Sequence, residues 1–231
     1  MPTPTPTPRS TLTSDYQRNW PEYFTAVAGK PPRETLVRAL DAFEREEPAP
    51  APAGASGQQR TFIAVDIATG EGRDAREILR RTRPRWSVLA TDAHPEAVRL
   101  SMAKVDLDHL DRLAVAQVSM EDLPSHAALP RRVDLVNASF ALPFCKPESF
   151  AALWGWITTG LRPGGRFAGQ FFGQLDEWAS VRPQSHYTRA QVEKLLASFD
   201  IEWLDEVLRE GDDATGKIKM HHVFHVVARK R

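Results

Sequence analysis

The chain has 231 residues, 42% of them hydrophobic, which suits one ordinary domain with a substantial core and a small addition. Thirty basic residues offset thirty acidic ones, so no global field draws the protein to nucleic acid, an anionic membrane or an acidic substrate. No apolar run nears the roughly eighteen residues that span a bilayer, the N-terminus lacks an apolar signal core, and the single cysteine, Cys145, excludes an internal disulfide and a multi-cysteine metal site, so a soluble cytoplasmic protein is expected.

Residues 1–14, MPTPTPTPRSTLTS, form a Pro/Thr repeat without apolar periodicity and read as a disordered tail of polyproline character. From residue 15 the composition changes. Tyr16, Trp20, Tyr23, Phe24 and Val27, then Leu36, Val37, Leu40 and Phe43, recur at helical spacing and predict two helices over 15–46, broken near 29–32 by Gly-Lys-Pro-Pro. The aromatic cluster fits either packing on the core or a lid over a ligand. Residues 47–60, rich in proline and alanine, read as a flexible linker.

The stretch 61–65, TFIAV, has the content of a buried strand, and Ala75, Ile78 and Leu79 recur at helical spacing soon after. Between them lies a small-residue turn in which Ala68, Gly70 and Gly72 let a ligand approach the main chain. Asp66 stands ahead of that turn. A carboxylate there repels a pyrophosphate and favours a ligand carrying an ammonium group. A second strand over 86–90 runs to Thr91 and Asp92, followed by a helix near Pro95. Asp92 lies twenty residues past Gly72 and can accept from both hydroxyls of a ribose or cap the helix behind it.

A third strand over 113–118 leads to Ser119, Met120 and Glu121, and a fourth over 133–136 to Asn137, Ser139 and Phe140. Residues just past parallel strands border the ligand crevice, although Asn137 is also an ordinary turn former. A helix over 150–159, a tight turn at LRPGG (161–165) and a fifth strand to Gly173 follow, then a loop with Trp178, His186 and Tyr187 and a helix capped by Thr188. The end reads as an antiparallel hairpin turning over 211–216, its second strand buried on both faces. On that strand His221 and His225 share one face and His222 takes the other, so no metal site is expected.

Alternating strands and helices imply a parallel sheet covered on both faces. VDIATGEG resembles motif I of the class I S-adenosylmethionine-dependent methyltransferases, usually an acid followed by GxGxG, with Ala68 standing where the family usually has glycine. SMEDLP and LRPGG are similar to further segments of that family, and the resemblance covers about 61–230. NASFALPFCKPESF followed by LRPGGRF looks most like small-molecule enzymes grouped with tellurite-resistance and trans-aconitate methyltransferases. The resemblance implies a doubly wound, mostly parallel seven-stranded sheet with a C-terminal antiparallel hairpin over 61–231, a Rossmann-like methyltransferase fold, and a helical lid over 15–46.

It implies S-adenosylmethionine as methyl donor, with S-adenosylhomocysteine as product, bound by Asp66, Ala68, Gly70, Gly72, Asp92, Ala93, Ser119, Met120 and Asn137. Ser119 stands where the family commonly has an acid for the adenine amino group. A small-molecule acceptor would meet Tyr16, Trp20, Tyr23, Phe140 and Trp178, with His186, then Tyr187 and His221, as candidates to take its proton. Neither nucleic acid nor membrane is an expected partner, and the protein is expected to be a monomer or homodimer. A non-catalytic module retaining the same pocket is the alternative. A nicotinamide dehydrogenase is disfavoured by Asp66 and by the lack of the third glycine of GxGxxG.

Overall fold

The apolar periodicity of the chain becomes a wound sheet in the computed structural model, which describes residues 19–46, 60–180 and 185–231. The tail predicted over 1–14, Tyr16, and all of the linker predicted over 47–60 except Arg60 lie outside these residues. Helices α1 (Trp20–Val27) and α2 (Glu34–Glu46) come first. Asn19 starts α1 by accepting the Glu22 N–H, with Pro21 in the first turn, and Gly29 breaks the path with a φ of 75°.

The sheet and its helices then follow as β1 (Thr61–Ile67), α3 (Arg73–Arg80), β2 (Arg85–Asp92), α4 (Pro95–Ala103), β3 (Leu113–Gln117), β4 (Val133–Ala138), α5 (Pro147–Gly160), β5 (Leu161–Gly173), β6 (His186–Tyr187), α6 (Arg189–Leu195), β7 (Phe199–Asp212) and β8 (Ile218–Lys230). The main path is β3-β2-β1-β4-β5-β8-β7. Strands β1 to β5 run parallel, while β8 is antiparallel to both β5 and β7.

Successive residues of each central strand feed opposite faces. Val65, Val136, Phe167 and Val226 join the layer under α5 and α6, packed with Trp154, Phe171 and Phe224. Their neighbours Ala64, Leu135, Ala168 and Val227 join the layer under α2 and α3, with Leu36, Leu40 and Ile78. Each large side chain so buried contributes roughly 1.5–3 kcal/mol. Among the described residues no helix is long and apolar enough to cross a membrane.

Two details depart from the sequence reading. LRPGG does not form a separate turn: Leu161 already pairs with Val133, and the ladder resumes at Leu135 with Arg166, so the glycines are absorbed as an irregularity within β5, Gly164 at a φ of 81°. The sheet also has eight strands instead of seven. Strand β4 leaves β5 after Gly169, and the exposed edge beyond is taken by β6, where His186 and Tyr187 pair with Phe172 and Gly173. Strand order reverses between β1 and β4, and the ends of these strands open the crevice that holds the site.

Candidate active site

At the end of β1 the chain turns through three residues of positive φ: Ala68 at 53°, Gly70 at 59° and Gly72 at 81°. A non-glycine residue in that region costs about 1–2 kcal/mol, and Ala68 is held there by a fixed turn. Thr69 N–H donates to Thr91 O at 2.9 Å, and Gly70 N–H donates to Asp92 Oδ2 at 2.9 Å. The two terminal glycines differ in purpose. A Cβ on Gly70 would stand at ordinary contact, 3.7 Å, from the Phe24 ring, whereas one on Gly72 would lie 2.8 Å from Ser101 Cα. Gly72 therefore lets α3 approach α4, and it does not line the cavity described below.

Three carboxylates are built into this end of the sheet. Asp66 is 1% exposed, accepting from Thr69 Oγ1 at 2.6 Å and from Asn137 Nδ2 at 2.7 Å. Asn137, wholly buried at the tip of β4, also donates to Asp74 Oδ2 at 3.1 Å and accepts from Ser139 Oγ. Burial, then the neighbouring Asp74, push the Asp66 carboxyl up to about 7 despite those two hydrogen bonds. Asp92 takes the His94 N–H on Oδ1 and the Gly70 N–H on Oδ2. Burial holds its carboxyl above the usual range, and these N–H groups oppose the rise. The helix behind it is capped by the His94 side chain, which leaves Asp92 to hold the turn.

A cavity of about 700 Å³ opens over these groups, within the roughly 300–1,000 Å³ typical of small-molecule sites. Of the residues expected at the cofactor, Ala68, Gly70, Asp92, Ala93 and Met120 line it. Trp20, Tyr23, Phe140, Trp178 and His221 line it as well. Asp66 and Asn137 sit behind the turn, and Ser119 Oγ is engaged with the backbone and carboxylate of Asp122. His186 and Tyr187 are not on the wall either: as β6 they pack on Phe172 and on Phe150 and Phe171. Burial pushes the Tyr187 phenol up to about 12, away from acid–base work near neutrality.

Several lining residues, Gln170, Arg33 and Arg209 among them, escaped the sequence reading. Gln170, 1% exposed, accepts the Phe140 N–H at 2.7 Å and donates to Thr35 Oγ1, which fixes Phe140 at its φ of 52°. Arg33 reaches in before α2, its guanidinium 4.4 Å from the Phe140 ring centre. The β7–β8 hairpin contributes Val207, Arg209, Lys219, His221, Val223 and His225 from one face, as the two-residue period requires. His222 points the other way, to Glu206 at 3.0 Å and the Leu175 N–H. Lys219 is buried against Asp176 at 2.5 Å, and its ammonium lies 3.7 Å from the Trp178 ring centre. His221 Nε2 stands 3.1 Å from the Gly211 carbonyl and 3.2 Å from that of Asp212. Among the described residues no three His, Cys, Asp or Glu side chains converge as metal ligands.

With this geometry in view, residues 64–165 match the family described as a methyltransferase domain. That stretch is similar to a methyltransferase domain. No curated protein matches it in sequence. TehB from Haemophilus influenzae superposes with a TM-score of 0.63 at 12% identity, over 86% of this chain and 62% of that one, so the chain spans less than two thirds of that relative. The 1,6-didemethyltoxoflavin-N1-methyltransferase of Burkholderia thailandensis, solved with bound 1,6-didemethyltoxoflavin and S-adenosylhomocysteine, gives 0.54 at 20% identity over 85% and 78%. A SAM-dependent methyltransferase from Aquifex aeolicus gives 0.57 at 18% over 93% and 100%. At these identities the likeness establishes the fold alone, a Rossmann-like sheet with helices packed on it.

Proposed function

We propose that the protein uses S-adenosylmethionine to methylate a small-molecule acceptor. The observation that carries this reading is Asp92, at the tip of β2, facing the cavity while Oδ2 fastens the glycine turn, Oδ1 holds the His94 N–H, and lone-pair capacity is left for a ligand. That set suits a ribose diol, and the Cβ-free backbone at Gly70 suits a closely approaching ligand. Ala93 and Met120, with Val118, supply an apolar slot for adenine. Ser119 shapes the turn beside that slot, and Asn137 fixes Asp66 beneath the loop, from where its charge acts on a ligand ammonium without touching it. Gly72 contributes by letting the two helices close behind the turn.

S-adenosylmethionine supplies a methyl carbon on a positively charged sulfur that departs neutral, so the chain's own task is to position the acceptor and exclude water. Orientation alone contributes on the order of 7–11 kcal/mol. Trp20 and Tyr23 stack edge to face at 5.7 Å, and Trp20 meets Phe144 at 5.5 Å, which bridges α1 to the far wall of the cavity and supports the lid reading. His221 is the proton acceptor in this proposal. Its Nε2 faces two carbonyl oxygens and must carry the hydrogen, which leaves the Nδ1 lone pair basic. Burial, then the Lys219 charge, holds the ring below the ordinary imidazole range.

Calorimetry with S-adenosylhomocysteine and with NAD tests the reading: heat with the first and none with the second is expected, and the absence of binding by S-adenosylhomocysteine would sink it. Binding without turnover across a metabolite panel would favour a non-catalytic module. For His221→Gln we expect kcat to fall about 100-fold with S-adenosylhomocysteine affinity unchanged. Because the His221 ring titrates low, the unmutated enzyme should hold its rate from alkaline pH down to about 6.5 and lose it below. An identical acid limb in the variant would remove His221 from this role.

A further inference from the structure

Away from the glycine turn, the cavity has rings on one side and basic side chains on the other. Phe140, Phe144, Phe172 and Trp178 pack together with Val223. Arg209, Lys219, His221 and His225 come from the inner face of the β7–β8 hairpin, where Arg209 pairs directly across from His221. Aromatic walls by themselves fit a cationic guest, because a ring face attracts positive charge. Here two of those faces are already taken. The Lys219 ammonium lies over Trp178 at 3.7 Å and the Arg33 guanidinium over Phe140 at 4.4 Å, so a cationic acceptor would meet like charge at both.

The basic groups differ in what balances them. Lys219 is matched by Asp176, with both side chains buried. Arg33 hydrogen-bonds Tyr23 but keeps a buried Nε with no acceptor among the described residues. Arg209 forms no ion pair among the described residues. Acids share this wall: the Asp213 carboxylate accepts from Thr215 N, Thr215 Oγ1 and Lys217 N, Glu34 pairs with Arg38, Glu121 accepts the Lys146 N–H, and Asp212 lines the cavity at its exposed rim, as Arg209 does. His225 lies within electrostatic reach of both Arg33 and Arg209, so these two guanidiniums flank one part of the cavity.

We propose that the acceptor is a planar organic anion, an aromatic or conjugated carboxylate, seated among Phe140, Phe172 and Trp178 with its charge toward Arg209. This rests on the methyltransferase reading and names the substrate class for that site. A guanidinium presents a flat fork of donors that matches a carboxylate, and a planar guest loses little conformational entropy between rings. Composition does not reveal this grouping, which arises only when the hairpin aligns Arg209 with residues of the next strand.

The test is calorimetry on the full chain saturated with S-adenosylhomocysteine, using 4-hydroxybenzoate, its neutral analogue 4-hydroxybenzamide and the cation tyramine as probes. We expect the acid to bind about tenfold more tightly than the amide and tyramine to bind weakest. In Arg209→Gln, an exposed position whose replacement leaves the core intact, the preference for the acid should shrink to about twofold or less, while Arg209→Lys should retain part of it. Equal binding of acid and amide, tightest binding of tyramine, no binding of any probe, or an undiminished preference in Arg209→Gln would each overturn the proposal. Failure of S-adenosylhomocysteine to bind the unmutated protein is a separate outcome, and it removes the cofactor reading on which the proposal rests.

Discussion

Replacing Asp92 by alanine is expected to weaken S-adenosylhomocysteine binding by about two orders of magnitude. In the proposed site the carboxylate accepts from two ribose hydroxyls, and hydrogen bonds to a charged group are worth roughly 1.5–3 kcal/mol each, so losing both amounts to about 3 kcal/mol or more. The same change also frees the Gly70 N–H from its 2.9 Å partner and loosens the turn that the ligand approaches. Asp92→Asn separates these effects. The amide oxygen can still hold the Gly70 N–H and so the glycine turn, while the His94 N–H, one hydroxyl partner and the charge are lost, and a loss of about tenfold is expected. Calorimetry on the three proteins, with thermal melts to confirm folding, gives the comparison. A loss under about threefold in Asp92→Ala would take the ribose role away from Asp92.

What could be read in advance was local. The order of apolar runs and turns gave the wound sheet, the two-residue period placed His221 and His225 on one face, and the Thr188 cap appears with its full box to Gln191. The parts that escaped depend on contacts between distant residues. Lys219 and Asp176 are 43 residues apart, and Gln170 reaches back 135 residues to Thr35. His186 and Tyr187 have side chains suited to acid–base work, but the free edge of β5 claims their backbone and takes them from the cavity wall. Asn137 reads as a turn former, yet it lies within a fully buried strand and bridges two acids. A usable signal was present for the acceptor wall: the alternation that pairs His221 with His225 extends to Lys219, and the hairpin register carries it across to Arg209.

Asp66→Asn should make the ligand-free protein more stable at alkaline pH, and the sign follows from proton linkage. The carboxyl titrates at 3.8 ordinarily and at about 7 in the fold. Between those values the folded state holds a proton that the unfolded chain has released, so stability is greatest below about 4 and declines as pH rises through about 7. A rise of about three pH units at 1.36 kcal/mol each puts the decline on the order of 4 kcal/mol. Asparagine cannot ionise. Its oxygen can accept from Asn137 Nδ2, and the Thr69 hydroxyl can turn from donor to acceptor, so the packing is kept. We therefore expect similar melting temperatures below about pH 4 and an advantage for the variant that grows to several degrees near pH 8. Equal pH dependence in the two proteins would show that Asp66 does not ionise at this cost. The cost itself points to use, since a strained carboxylate beneath a binding loop is favoured again when a ligand ammonium arrives. Binding of S-adenosylhomocysteine at pH 6–7 should then release protons, measurable as heats that vary with the ionisation enthalpy of the buffer, and Asp66→Asn should abolish that variation along with about tenfold of the affinity.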